Sequence, residues 1–583
     1  MSHGWRFTML GYALAVWGAA IVGMAGFLMF GPQAQSFREQ GALYSVEEML
    51  ITPPRGQVYD RWGNLLAGNV TVYEIGVNLP EVEDPEAIAR AVNGVLGEDY
   101  YTLLERASIP AGPNAVYVVL ANYVPAYKAD ILIDYVLEQK DPETAKPGAP
   151  SLAGLVFKPH LMRSYPERDL ASNVLGFVNR EGIGYFGIEQ YYQDLLAGQP
   201  QRILVPVDPN LATSLPEVPP GASLVLTLDR EIQAMVEDQL DLAVEFYGAK
   251  AGTVVIMDPE TGEILAMAST PRLDLNEYWN YQEVYPGSTP FNRAVSKSYE
   301  PGSVFKVFTV AAALDSGTVQ PSTSFFDTGV FQIGGITIRN WNSGAWGKQD
   351  ITGCLRHSLN VCMAWLGSEM KADLFYQYLR LFGFGHNTGV DLAGEATGRL
   401  KEPGDDDWYE ADLGTNTFGQ GIAVTPIQML MGISAIANEG QMVVPHLVRS
   451  MVEDGRQFNF HTQYAGQPIS AETARTLTLM LAESLESEAS NALVPGYRVA
   501  GKTGTAEIPT EFGYTSAITN ASFVGWGPVD DPKFIVYVWL EEPSASIWGS
   551  ETAAPLFAQI VERLVVLLNL PPDSIRAGLT SGP

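Results

Sequence analysis

Glu300-Pro301-Gly302-Ser303-Val304-Phe305-Lys306 runs directly into an apolar stretch that stops at Gly317. Pro and Gly just before Ser303 put its hydroxyl at the N-terminus of a helix. Unpaired N–H groups and the positive end of the helix dipole favour developing negative charge there. A spacing of three sets Ser303 and Lys306 side by side on one face. A neutral Lys306 can take the serine proton if burial and a nearby cation lower its pKa from about 10.4 towards neutrality. The same spacing recurs at Ser368 and Lys371, but in a polar window with Glu369 between them and no helix start before them. That second pair is expected to be a solvated helix end.

Two later stretches carry complementary groups. Ser358-Leu359-Asn360 is the one Ser-x-Asn in the chain, and by itself reads equally well as a turn or helix cap. Lys502-Thr503-Gly504-Thr505 follows residues 497–500, which read as an edge strand. Glycine there allows a ligand close to the backbone, and hydroxyls beside a lysine suit a carboxylate. In this order the three stretches resemble the S-x-x-K, S-D-N and K-T-G set of serine acyl-transfer enzymes, with Leu359 at the middle position of the second.

Around these motifs the pattern is α/β. Residues 223–228 read as a strand and 231–246 as a helix after Asp229. Residues 252–257 and 264–268 form a hairpin around Asp258-Pro259-Glu260-Thr261-Gly262-Glu263. A mostly helical middle follows. Strands at 521–526 and 534–540 then flank an Asp-Asp-Pro turn, and residues 553–568 form a helix with an apolar face. Strands at both ends and helices between them imply one antiparallel sheet built from distant segments. The Val218-Pro219-Pro220-Gly221 junction separates this region from a patchwork of short elements, interrupted at residues 110–113 and 146–150.

Residues 7–30, FTMLGYALAVWGAAIVGMAGFLMF, lie in a run without charge between Arg6 and Arg38. About 20 apolar residues suffice to cross a bilayer, whereas a cleaved signal has a core of about 7–15. Gly31-Pro32-Gln33-Ala34 is a poor cleavage site. The expectation is an uncleaved anchor with residues 1–6 in the cytoplasm, 31–220 as a non-catalytic domain outside and 221–583 as the catalytic domain. The chain of 583 residues carries 66 Asp+Glu against 35 Lys+Arg, a formal charge of -31, which argues against nucleic-acid partners. Two cysteines and six histidines form no metal-ligand pattern, and no metal or cofactor is expected. With Cys354 and Cys362 on one helix, eight residues of rise would hold them about 12 Å apart, so both are expected to be free, buried thiols.

The chain resembles the class B (monofunctional) penicillin-binding proteins along essentially its whole length. Residues 55–67, Arg163-Ser164-Tyr165-Pro166 and Gly187-Ile188-Glu189-Gln190-Tyr191-Tyr192 are similar to the family's pedestal signatures, with charges read as structural ion pairs. Gly419-Gln420-Gly421 resembles a further family loop. The resemblance implies an elongated α+β pedestal of the dimerisation type. It also implies a transpeptidase domain like the serine β-lactamases, with helices flanking a sheet beside an all-helical subdomain.

It implies further that Ser303 is acylated and Lys306 is its base. Ser358 relays a proton, Asn360 hydrogen-bonds the substrate backbone or the base, and Lys502 supplies charge and holds Lys306 deprotonated by like-charge repulsion. Thr503, Gly504 and Thr505 grip the terminal carboxylate of the stem peptide. The expected partners are peptidoglycan stem peptides, β-lactams as inhibitors, and a multipass SEDS-family lipid II polymerase. A bifunctional enzyme would need a Glu-Asp-x-x-Phe motif, but Glu98-Asp99 is followed by Tyr100-Tyr101-Thr102. The alternatives sharing these motifs are a β-lactamase or D,D-carboxypeptidase, told apart by rapid penicillin turnover, and a β-lactam sensor or scaffold; residues 1–6 are too short to hold a signalling domain, whereas a scaffold role is compatible with catalysis.

Overall fold

The computed structural model describes residues 4–31, 35, 46–113, 115–140, 150–206, 218–488, 490–510 and 513–580. Pro32, Gln33, Ala34 and residues 146–149 of the expected interruption lie outside them. The chain divides into two compact units. The first holds residues 1–54 and 197–221. Its helix Gly4–Phe30 is long and apolar enough to cross a membrane, and none of its 18-residue apolar window is buried. Its strands Val46–Ile51 and Gln201–Pro206 pair antiparallel.

The second unit holds residues 55–196 and 222–583 and is organised around a five-stranded sheet. The strand order is Ile264–Ser269, Ala251–Met257, Phe534–Glu541, Gly513–Gly527 and Ala500–Thr510, antiparallel throughout. The expected sheet from distant segments is therefore present. Its strands are apolar on both faces because both faces are covered. Val255, Met257, Val524 and Ile535 face a core that includes the helix Lys306–Asp315. Their neighbours Val254, Ile256, Phe523 and Val536 face helices Arg230–Tyr247 and Ala553–Leu567. Asp229 caps the first of these by accepting from the N–H groups of Glu231 and Ile232. The helix Pro426–Ala437 is buried all round, which explains its nearly uniform apolar sequence.

A second sheet joins strands from either side of the Pro219-Pro220-Gly221 junction: Val58–Tyr59 runs parallel to Ser223–Leu226, which in turn pairs with Val448–Glu453. Glu189 stands fully buried between Arg55 and Arg163, at 2.7 and 2.6 Å. This is the structural ion pairing expected of the signature charges. Asp60 is also buried and accepts from the N–H groups of Trp62, Asn64 and Arg230. Asp99, set aside as a glycosyltransferase residue, caps the helix Tyr100–Ala107.

The cysteine expectation is overturned. Cys354 and Cys362 form a disulfide with Cα atoms 6.1 Å apart. No single helix carries them: Ile351–Arg356 ends before Ser358, whose φ of 52° is left-handed, and a new helix, Asn360–Leu381, begins two residues later. The chain doubles back and brings the sulfurs together. Lys371 interrupts that second helix at φ 63° and is exposed, as a solvated helix end should be.

Candidate active site

The tip carrying Ser303 is fixed from behind. Tyr299 exchanges backbone hydrogen bonds with Val424, stacks on Trp539 at 4.3 Å and shares a hydroxyl contact with Tyr537. The chain then turns through Gly302, at φ 59°, into a 3-10 turn, Gly302–Phe305, that leads into the helix Lys306–Asp315. Gly302 donates its N–H to Gly419 O at 3.0 Å. A Cβ on Gly302 would lie 3.0 Å from Thr505 O, so only glycine lets the tip approach the strand Ala500–Thr510 this closely. A Cβ on Gly419 would lie 2.3 Å from Gly302 O. The Gly419-Gln420-Gly421 loop thus backs the serine turn, a part its sequence did not disclose.

Lys306 is fully buried at the head of its helix. Its ammonium donates to Ser358 O at 2.6 Å, Ser358 Oγ at 3.0 Å and Asn360 Oδ1 at 2.7 Å. Burial holds its pKa well below the ordinary lysine value, and the charge of Lys502 lowers it further. Asn360 is oriented by donating to Arg339 O at 3.1 Å.

Lys502 lies on the edge strand opposite Val524 and is 6% exposed. Burial lowers its pKa to about 8, opposed by the Glu488 carboxylate. Its ammonium donates to Thr503 O at 3.2 Å. Strand alternation puts Thr503 and Thr505 on one face, both half-buried. Thr505 Oγ1 accepts from Gly549 N at 3.0 Å. A side chain on Gly504 would strike Ser522 Oγ, at 2.3 Å.

The structure thus brings Lys306 against Ser358 and Asn360, and the Ser303 turn against the strand bearing Lys502, Thr503, Gly504 and Thr505. The strand begins at Ala500, where the sequence pattern had it end, so the Lys-Thr-Gly-Thr run lies inside it. Sequence reasoning missed the loop around Gly549. Its detectable signal was a lone glycine after Trp548 just before a helix.

Such an arrangement can deprotonate a hydroxyl at a helix tip and hold an anion beside it. Residues 252–562 match the penicillin binding protein transpeptidase domain, and residues 50–214 match the penicillin-binding protein dimerisation domain. Stage V sporulation protein D of Bacillus subtilis is 31% identical over 540 residues, covering 89% of this chain and 79% of that protein. The peptidoglycan D,D-transpeptidase FtsI of Escherichia coli is 27% identical over 591 residues, covering 98% and 94%. Among solved structures, penicillin binding protein 3 of Mycobacterium tuberculosis complexed with aztreonam superposes with a TM-score of 0.68 at 26% identity, covering 90% and 98%. With both domains matched in order and a relative above 30% identity along most of its length, the chain belongs to the class B penicillin-binding proteins.

Proposed function

We propose that this protein is a peptidoglycan D,D-transpeptidase that cross-links stem peptides through an acyl-serine intermediate. The observation that carries the reading is the buried Lys306 ammonium, held by Ser358 and Asn360 and depressed by Lys502. A lysine so placed sheds its proton readily and can serve as a base near neutral pH.

In the first step Ser303 Oγ gives its proton to Lys306 and attacks the carbonyl of the D-Ala-D-Ala bond. Backbone N–H groups of Ser303 and Thr505 receive the oxyanion, an interaction for which losing one donor costs roughly 10²–10³ in rate. Ser358 passes a proton to the leaving nitrogen, the C–N bond breaks and D-alanine departs. An amine on a neighbouring stem peptide then attacks the ester, loses a proton to the same relay and frees Ser303. Lys502, Thr503, Gly504 and Thr505 bind the terminal carboxylate, while Asn360 aligns the donor backbone. A β-lactam acylates Ser303 and stops there, because its leaving group stays attached.

In this reading residues 1–6 lie in the cytoplasm and 7–30 cross the membrane. Residues 31–220 form the pedestal and 221–583 the transpeptidase domain outside. The Cys354–Cys362 disulfide suits an oxidising exterior. A SEDS-family lipid II polymerase is the proposed membrane partner, supplying the glycan that is cross-linked. Penicillin turnover tests the assignment. A persistent acyl-enzyme is expected, and rapid release of the hydrolysed drug would make the protein a β-lactamase instead.

A further inference from the structure

The segment that carries Ser358 and Asn360 is braced to an extent that the reaction scheme does not explain. Ser358 holds a left-handed backbone, φ 52°, which a side chain disfavours. The backbone N–H groups on either side of this torsion bond locally: Ser358 N to Leu355 O at 3.1 Å and Leu359 N to Cys354 O at 3.0 Å. Around these, two fully buried cysteines close the segment with a disulfide across eight positions. From outside, the His357 ring stacks on Trp346 at 4.1 Å, and its Nδ1 lies 3.2 Å from a Glu488 carboxylate oxygen. Trp341 Nε1 donates to His357 O at 3.3 Å, and Arg356 pairs with Glu483 at 3.3 Å. All of these contacts converge on nine residues whose two functional groups accept from Lys306.

We propose that the Cys354–Cys362 disulfide and the Trp346–His357 stack are positioning elements for acylation, holding Ser358 and Asn360 at hydrogen-bond distance from the Lys306 ammonium. Neither element touches substrate. They act by denying Ser358 the more extended backbone it would otherwise adopt, which would swing its oxygens away from Lys306. Misplacement of a catalytic group by about 1 Å can cost about 100-fold in rate. A brace that only stabilised the fold would leave the chemistry of the folded enzyme untouched. The proposal rests on Ser303 being the acylated residue.

The test is stopped-flow acylation of the full-length protein by a fluorescent penicillin, with the dissociation constant and the first-order acylation constant resolved separately. Wild type is compared with Cys354→Ser/Cys362→Ser, with Trp346→Leu, and with wild type reduced by dithiothreitol. In the reduction two electrons and two protons pass to the cystine, giving two thiols and the cyclic disulfide of the reagent, and thiol mass-tagging verifies it. At a temperature where each form is folded, the acylation constant should fall about 10-fold or more in every form lacking the disulfide or the stack. The dissociation constant should change little, and reoxidation of the reduced enzyme should restore the rate. Unchanged acylation constants, or a loss confined to affinity, would overturn the proposal. If the double serine variant does not fold, Trp346→Leu and the reduced enzyme decide it. Failure of oxidised wild type to acylate at Ser303 would instead remove the active-site assignment itself.

Discussion

Replacing Lys502 with methionine should make the protein more stable and much less active. Methionine keeps an unbranched apolar stem of four heavy atoms, with sulfur in place of Cδ, and removes the ammonium group. Burial takes the Lys502 pKa from 10.5 to about 8. At 1.36 kcal/mol per unit, keeping this cation charged costs the folded state about 3 kcal/mol at neutral pH. The sign follows from linkage. Below pH 8 the lysine is charged in both states and the full penalty applies. Between about pH 8 and 10.5 the folded protein binds fewer protons than the unfolded one, and the penalty fades. Lys502→Met should therefore melt above wild type at pH 7, with an advantage that shrinks as pH rises towards 10.5. Penicillin acylation by the variant should drop on the order of 100-fold, because a donor to the carboxylate is gone. Differential scanning calorimetry at pH 7 and pH 10, beside acylation kinetics, measures both. A variant that is less stable than wild type at pH 7, or whose difference does not change with pH, would mean that burial of the Lys502 charge carries no such penalty.

The acylation rate should trace a bell against pH, rising as Lys306 loses its proton and falling near pH 8 as Lys502 loses its own; a rate that does not fall as pH rises through 8 would contradict the Lys502 assignment. Gly419→Ala would drive a Cβ into Gly302 O, 2.3 Å away on rigid backbone. It should slow acylation by about 10-fold or more through displacement of the Ser303 turn, and wild-type kinetics would show that the turn tolerates movement. Glu189→Ala strands Arg55 and Arg163, whose partner is fully buried, and should cost about 3–5 kcal/mol in unfolding free energy. An unchanged thermal midpoint would mean that the Arg55–Glu189–Arg163 cluster contributes nothing to stability.

The placement of two motifs was legible because each is contiguous: Ser303 and Lys306 at the head of a helix, Thr503 and Thr505 on one face of a strand. The antiparallel sheet was legible too, from apolar runs bounded by turn residues such as Asp258-Pro259 and the Asp530-Asp531-Pro532 turn. What escaped lies between segments or in single backbone torsions. Nothing in Leu355-Arg356-His357-Ser358 marks the serine as left-handed, since asparagine and glycine are the usual occupants of that region. A continuous helix was therefore the natural assumption, and it kept the cysteines apart. The interlock of Gly302 with Gly419, and the seat of Gly549 on Thr505, join positions 117 and 44 residues apart in sequence; such pairs exist only once the chain has folded.

The most direct measurement is the site of the covalent adduct. Intact protein incubated with penicillin, digested and sequenced by mass spectrometry, should carry the drug on the peptide containing Ser303, lose it in Ser303→Ala and keep it in Ser368→Ala. Drug attached at Ser368, or a protein that never gains the mass of penicillin, would contradict the account.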